Sequence, residues 1–148
     1  MDHFYPLTPP PDGTHLESWG MLAALAQATK RLRLGCMVNG MHYRHPAVTA
    51  NAAVTLDHIS AGRFNLGLGA GWFEPESNAY GIPLGSLTER FDRFDEGLEV
   101  ITSLLTNEFT DFDGHYAAAG VDLVIFSMHG PYKATRLQPL VDALEAVK

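Results

Sequence analysis

The sequence has a single cysteine, Cys36, no apolar run near the roughly 20 residues that a membrane-spanning helix requires, and no block of basic side chains. Each absence excludes something. One cysteine cannot build an internal disulfide framework and fits a reducing compartment, so the cytoplasm is the expected location. The N-terminus, MDHFYPLTPPPDG, has neither a basic region nor an apolar core, and the chain reads as soluble, unprocessed and independent of membranes. Its 17 acidic side chains outnumber the 10 lysines and arginines, which argues against a nucleic-acid or anionic-membrane partner, since either leaves a basic patch. The expected partner is a small molecule or a second copy of the chain. With 148 residues, 46% of them hydrophobic, one ordinary core can be buried but not two, so residues 1–148 are expected to form a single domain.

What is present alternates between helical and strand patterns. The proline-rich start, up to Gly13, can only be extended loop. Residues 16–30 are rich in alanine and leucine, and Trp19, Leu22, Leu25 or Ala26, and Thr29 recur at helical spacing. Residues 32–38 (LRLGCMV) read as a buried strand. Pro46 then opens a second helix with Val48, Ala52, Thr55 or Leu56, and Ile59 as its stripe, ending at Ala61 and Gly62. Residues 63–68 (RFNLGL) form another short strand, so strand, helix and strand succeed one another as a parallel βαβ unit. Residues 72–85 have no period and read as a long loop after that strand. Ser86 and Glu89 make a capping box for a helix with Phe91, Phe94, Leu98, Ile101 and Leu105 on one face. Residues 109–116 read as a hairpin about an Asp–Gly turn, 121–127 as an apolar strand, and Leu137, Leu140 or Val141, Leu144 and Val147 as the stripe of a last helix. Such βα units suit a TIM-type barrel and a doubly wound sheet equally, and periodicity does not choose between them.

The residues themselves do. DHFYP (2–6), LRLG (32–35), YRHP (43–46), LDHISAGR (56–63), GLGAGWFE (67–74) and FDGHY (112–116) together, in this order, resemble the luciferase-like monooxygenase family, and within it the oxidoreductases that use F420 or FMN. The resemblance implies an α/β fold, a partial (β/α)₈ TIM barrel with βα units like strands three, four and eight, its mostly parallel sheet flanked by helices. Residues 1–116 match the N-terminal half of that barrel and 117–148 its final βα unit. It also implies that the first βα unit and most of strand two have no counterpart after Met1, and that strands five to seven have none between Tyr116 and residue 120. A whole barrel takes roughly 250 residues, so this chain is expected to leave strand edges open and to cover them by forming a homo-oligomer, most simply a dimer.

Site residues come from the same resemblance. His3 is implied to lie over the cofactor ring and assist proton transfer, with Asp2 orienting it; the alternative is a surface histidine near a free terminus. Met37, Val38 and Asn39 correspond to the place where the family bends its third strand against the ring, with Met37–Val38 the candidate non-prolyl cis bond. An ordinary strand with both side chains in the core is the alternative. Ala70, Gly71 and Trp72 are implied to stand beside the ring, the glycines of residues 67–71 leaving it room. The run spaces as GxGxG, meets no helix start, and is no dinucleotide fingerprint. Trp72 occupies the place of an acidic residue in sugar-phosphate-oxidising relatives, which argues against that substrate class. His42 and His45 lack a third ligand, Asp111 and Asp113 lack a calcium-loop pattern, and no metal site is expected. His58, His115 and Cys36 read as structural. The implied function is hydride transfer or oxygen activation on F420, or on FMN, at the C-terminal strand ends. The alternative is a non-catalytic assembly protein of the same lineage that binds neither cofactor, because barrels of this kind hold the cofactor phosphate after strands without a counterpart here.

Overall fold

Two runs of extended chain, paired in parallel and joined by one long helix, set the architecture of this computed structural model, which describes residues 1–8, 10, 12–107, 110 and 112–118. Each run is interrupted. β1 (Leu34–Gly35) pairs with β3 (Phe64–Asn65), and β2 (Asn39–Gly40) pairs with β4 (Leu68–Gly69). Leu34 stands opposite Phe64, whereas Asn39 stands opposite Leu68. Residues 36–38 of the first run therefore face only residues 66 and 67 of the second, and the surplus residue makes a bulge that re-aims the chain from β2 onward. The non-prolyl cis peptide Met37–Val38 lies in this bulge, where the family resemblance places it. The alternative of an unbroken core strand is corrected by exposure as well, Met37 being 86% and Val38 44% exposed.

The helices form for local reasons that the sequence shows. α1 (Ser18–Ala28) is capped by the Glu17 carboxylate, which accepts from Gly20 N–H at 2.7 Å. α2 (Pro46–Ser60) begins with proline at its first turn, takes an N-cap hydrogen bond from Ala47 N–H to His45 Nδ1 at 3.2 Å, and ends where Ala61 turns left-handed. α4 (Leu87–Thr106) starts with the expected box, Glu89 N–H to Ser86 Oγ at 3.3 Å and Ser86 N–H to Glu89 Oε2 at 2.7 Å. Arg63 ties the unit together. Its guanidinium donates to the carbonyls of Ala26, Thr29, Leu32 and Ser60, joining the last turns of α1 and α2 just ahead of β3.

α2 is the middle layer, and its packing keeps Leu56 of the expected stripe but not Val48. Val48 is 57% exposed, while Ala50 and Ala53 are buried. Small residues face inward because α2 has a neighbour on each side. Toward α1 and the first strand pair, Ala53 and Leu56 join Trp19, Leu22, Cys36 and Phe64; toward α4, Ala50 joins Met41, Val100, Ile101, Leu104 and Leu105. Cys36 is thus the small buried hydrophobe expected of it. On α4, Phe94 and Leu98 pack at the margin of the second cluster, but Phe91 is 53% exposed, so the inward face lies later in the helix than its aromatic residues suggest. Gly97 makes the closest approach there, for a Cβ on it would sit 2.6 Å from Met41 Sδ.

Two further expectations change. Residues 74–80 are not loop but α3 (Glu74–Tyr80), with Pro75 in its first turn and Gly81 left-handed at its end. His115–Ala118 is a short helix, α5, where the second arm of a hairpin is expected; residues 108, 109 and 111 lie outside the described residues. The expected final strand and helix, 121–127 and 137–147, also lie outside them. No helix among the described residues is long and apolar enough to cross a membrane. The result is an α/β arrangement of short parallel strands flanked by helices, without a closed barrel among the described residues.

Candidate functional site

At the C-terminal ends of the paired strands lies a cleft of about 180 Å³. Three chain segments line it: Met1, Asp2, His3 and Leu7 from the start, Met37, Val38, Gly40, His42 and Tyr43 from the bulge onward, and Gly69, Gly71 and Trp72 after β4. Six of the eight expected site residues therefore converge: Asp2, His3, Met37, Val38, Gly71 and Trp72. The other two do not line it. Asn39 is 1% exposed, and its backbone N–H and its side-chain amide both donate to Gly67 O, at 2.8 and 2.9 Å. It pins the bulge to the neighbouring strand. Ala70 is half-buried beside the cleft without facing it.

The glycines of residues 67–71 make room, but for this chain's own side chains. A Cβ at Gly69 would meet Val38 Cγ2 at 2.7 Å, and one at Gly71, whose φ is +85°, would meet His42 Nδ1 at 2.3 Å. Val38 and His42 pack close against those glycines, which still line the cleft together with the exposed bulge and the 62% exposed Trp72.

His3 is not a loose surface residue. Its side chain is 11% exposed, and its ring meets Trp72 and Phe73 edge-on at 5.9 and 5.7 Å. Phe4 packs against Tyr43 and Tyr80 at 4.9 and 5.0 Å, so the first residues are fastened to the rest of the site. Asp2 does not orient His3. Its carboxylate is taken by Arg44 in a bidentate pair at 2.6 and 3.0 Å, by the Ser18 hydroxyl at 2.6 Å, and by Gly40 N–H at 3.1 Å. Arg44 also holds Glu17 at 2.8 Å and lies over the Trp19 ring. This network anchors the terminus to α1 and β2.

The partner of His3 is Glu76, which the sequence pattern leaves inside a loop. Glu76 is 0% exposed, lies 2.9 Å from His3 Nδ1, and accepts from Phe4 N–H at 2.5 Å and from the Tyr43 hydroxyl. Burial alone would push its carboxyl up, but the hydrogen bonds from Tyr43, Phe4 and His3 outweigh burial and hold it below the usual carboxylate range. Tyr43 responds in the opposite sense, its phenol raised by burial and by Glu76. The available signal was the stretch PESNAYG, with proline near a helix start and glycine past its end, which marks α3 and puts Glu76 in its first turn. His42, tilted against Tyr43 with ring centroids 3.8 Å apart, is lowered to about 4 by burial and by Arg93, and is neutral at pH 7. No three His, Cys, Asp or Glu side chains among the described residues are grouped to hold a metal ion.

Known proteins share these features of sequence and fold. Residues 2–144 match the luciferase-like monooxygenase family. The chain is 36% identical over 139 residues to 4-hydroxyprotoasukamycin monooxygenase of Streptomyces nodosus subsp. asukaensis, covering 80% of this chain and 37% of that protein. Among solved structures it is similar to the oxygenating constituent of 3,6-diketocamphane monooxygenase from Pseudomonas putida in complex with FMN. The TM-score is 0.59 and the identity 28%, over 66% of this chain and 27% of that one. It is also similar to the coenzyme F420-dependent tetrahydromethanopterin reductase of Methanopyrus kandleri, with a TM-score of 0.60 and 26% identity over 69% and 32% of the two chains. The chain thus spans about a third of the length of these relatives.

Proposed function

The chain belongs to the luciferase-like monooxygenase family, and from that premise we propose that its cleft binds the tricyclic ring of F420 or FMN and serves an oxidoreductase. The observation that carries this is the convergence of Asp2, His3, Met37, Val38, Gly71 and Trp72 on one cleft. The residues fit such a ring, which is flat and apolar on its faces and polar along one edge. Met37, Val38 and Trp72 would hold a face, since all three are apolar and exposed at the strand ends. His3 would meet the polar edge. When bound, the ring supplies hydride transfer or oxygen activation; the protein supplies orientation, an imidazole within reach, and apolar cover that keeps water off one face.

One observation favours a second reading. Among the described residues no lysine or arginine lines the cleft, and the nearby arginines are committed, Arg44 to Asp2 and Glu17, Arg90 to Gly71 O, and Arg93 to Pro83 O and Leu84 O. Ring contacts then carry the affinity, without the ~1.5–3 kcal/mol that each charge-assisted bond to a phosphate contributes. A homo-oligomer that folds without cofactor is the competing reading. Fluorescence titration of the purified chain with F420 and, separately, with FMN decides between them. Saturable binding of one, weakened about tenfold, or ~1.4 kcal/mol, by Trp72→Ala, supports the oxidoreductase. Absence of binding of either ring at high micromolar concentration sinks it.

A further inference from the structure

Glu76 sits behind the cleft, and its two oxygens are divided unequally. Oε1 accepts from Phe4 N–H, while Oε2 accepts from the Tyr43 hydroxyl and lies 2.9 Å from His3 Nδ1. An ionised carboxylate can only accept. The nitrogen that faces it must therefore carry the proton, and in a neutral imidazole the other nitrogen then carries the lone pair. His3 lines the cleft with Nδ1 engaged behind it, which leaves Nε2 for whatever enters.

We infer that Glu76 is a positioning residue that holds His3 in its Nδ1–H tautomer and so presents Nε2 to the cleft as a proton acceptor. The inference rests on the cleft being a ligand site, and it adds a direction to the chemistry there. The group that meets His3 is an N–H or O–H of the ligand, which gives its proton or hydrogen bond to Nε2 and takes it back from the imidazolium. Tyr43 is excluded as the cleft's own acid, because its hydroxyl is already donated to the carboxylate.

The tautomer can be read directly, with no cofactor present, from the nitrogen-15 resonances of the full chain labelled at histidine and held at alkaline pH. His3 is identified by the signals lost in His3→Gln. A protonated Nδ1 and an unprotonated Nε2 are expected; the reverse assignment, or an average of the two, overturns the inference. Glu76→Gln sharpens the test. Phe4 N–H can only donate, so it keeps the single remaining carbonyl oxygen, and the amide NH₂ turns to His3 and Tyr43, both of which can accept instead. His3 should flip to Nε2–H and its two ring resonances should interchange; unchanged resonances in the folded variant overturn the inference. Tyr43→Phe leaves the carboxylate in place and should leave the tautomer as it is, so a flip there counts against Glu76, and this variant with the unmodified chain carries the test if Glu76→Gln does not fold. A chain that binds neither ring but shows the Nδ1–H tautomer loses the proposed activity and keeps this assignment, and the converse result separates them the other way.

Discussion

Asp2 and Glu76 are both buried carboxylates close to the same cleft, each surrounded by several donors, yet they are built for different ends. The donors to Asp2 are mostly fixed, a guanidinium that is always charged and a backbone N–H, with one switchable hydroxyl supplied from α1. The donors to Glu76 are mostly switchable, an imidazole and a phenol that can accept as well as donate, with one backbone N–H for reference. A carboxylate among fixed donors is an anchor. One among switchable donors can set the protonation pattern of its neighbours, and that is the difference inferred between two groups that look alike in burial.

Removing the anchor should have the largest effect. Asp2→Ala leaves Arg44 without its bidentate partner beside α1, and a broken buried pair costs about 3–5 kcal/mol; urea denaturation followed by circular dichroism measures it, and a cost below about 1 kcal/mol would break the distinction. Acid comes next. His42 is lowered to about 4 while an unfolded histidine titrates near 6.5, so the unfolded state binds the extra proton between those values and stability is lost as pH falls from about 6.5 through 4, by at most about 3 kcal/mol. The lowered carboxyl of Glu76 adds a further loss only below the ordinary carboxylate range, as pH falls through its folded value. A denaturation midpoint that is flat from pH 7 to 4 contradicts the buried neutral His42. Glu76→Gln should cost less than Asp2→Ala, about 1–2 kcal/mol, because His3 and Tyr43 can re-pair with the amide. An equal cost for the two would mean that Glu76 is a second anchor. The smallest change, about 1 kcal/mol in the same denaturation measurement, is expected of Ser18→Ala, which removes one hydroxyl from Asp2 while Arg44 and Gly40 N–H remain.

Much of the fold was legible in the sequence where a local signal existed. The capping box at Ser86 and Glu89, the proline opening α2 and the parallel βαβ order needed no tertiary information. Inward faces were less legible. Leu56, Ile101 and Leu105 are buried as periodicity selects, but Val48 and Phe91 are exposed while Ala50, Ala53 and Gly97 are buried, because a helix packed closely against its neighbours needs small residues at the contact. The site divides in the same way. Residue types matched to a family put six of the eight expected residues on the cleft, and placed the cis bond. They could not assign partners, since Asp2 and His3 are adjacent in the chain while their true partners stand 42 and 73 positions away, at Arg44 and Glu76.

The sequence by itself determined the family, the parallel order of short strands and helices, and the identity of the chemical groups gathered at the strand ends, because these depend on local propensity and on residue types in a fixed order. Only the tertiary structure decided which carboxylate faces the histidine. That choice depends on a one-residue bulge in the first strand, on α3 carrying Glu76 beneath the N-terminal segment, and on Arg44 reaching Asp2 first. A carboxylate satisfied by a guanidinium has little left to offer an imidazole, and the histidine pairs with the acid that remains.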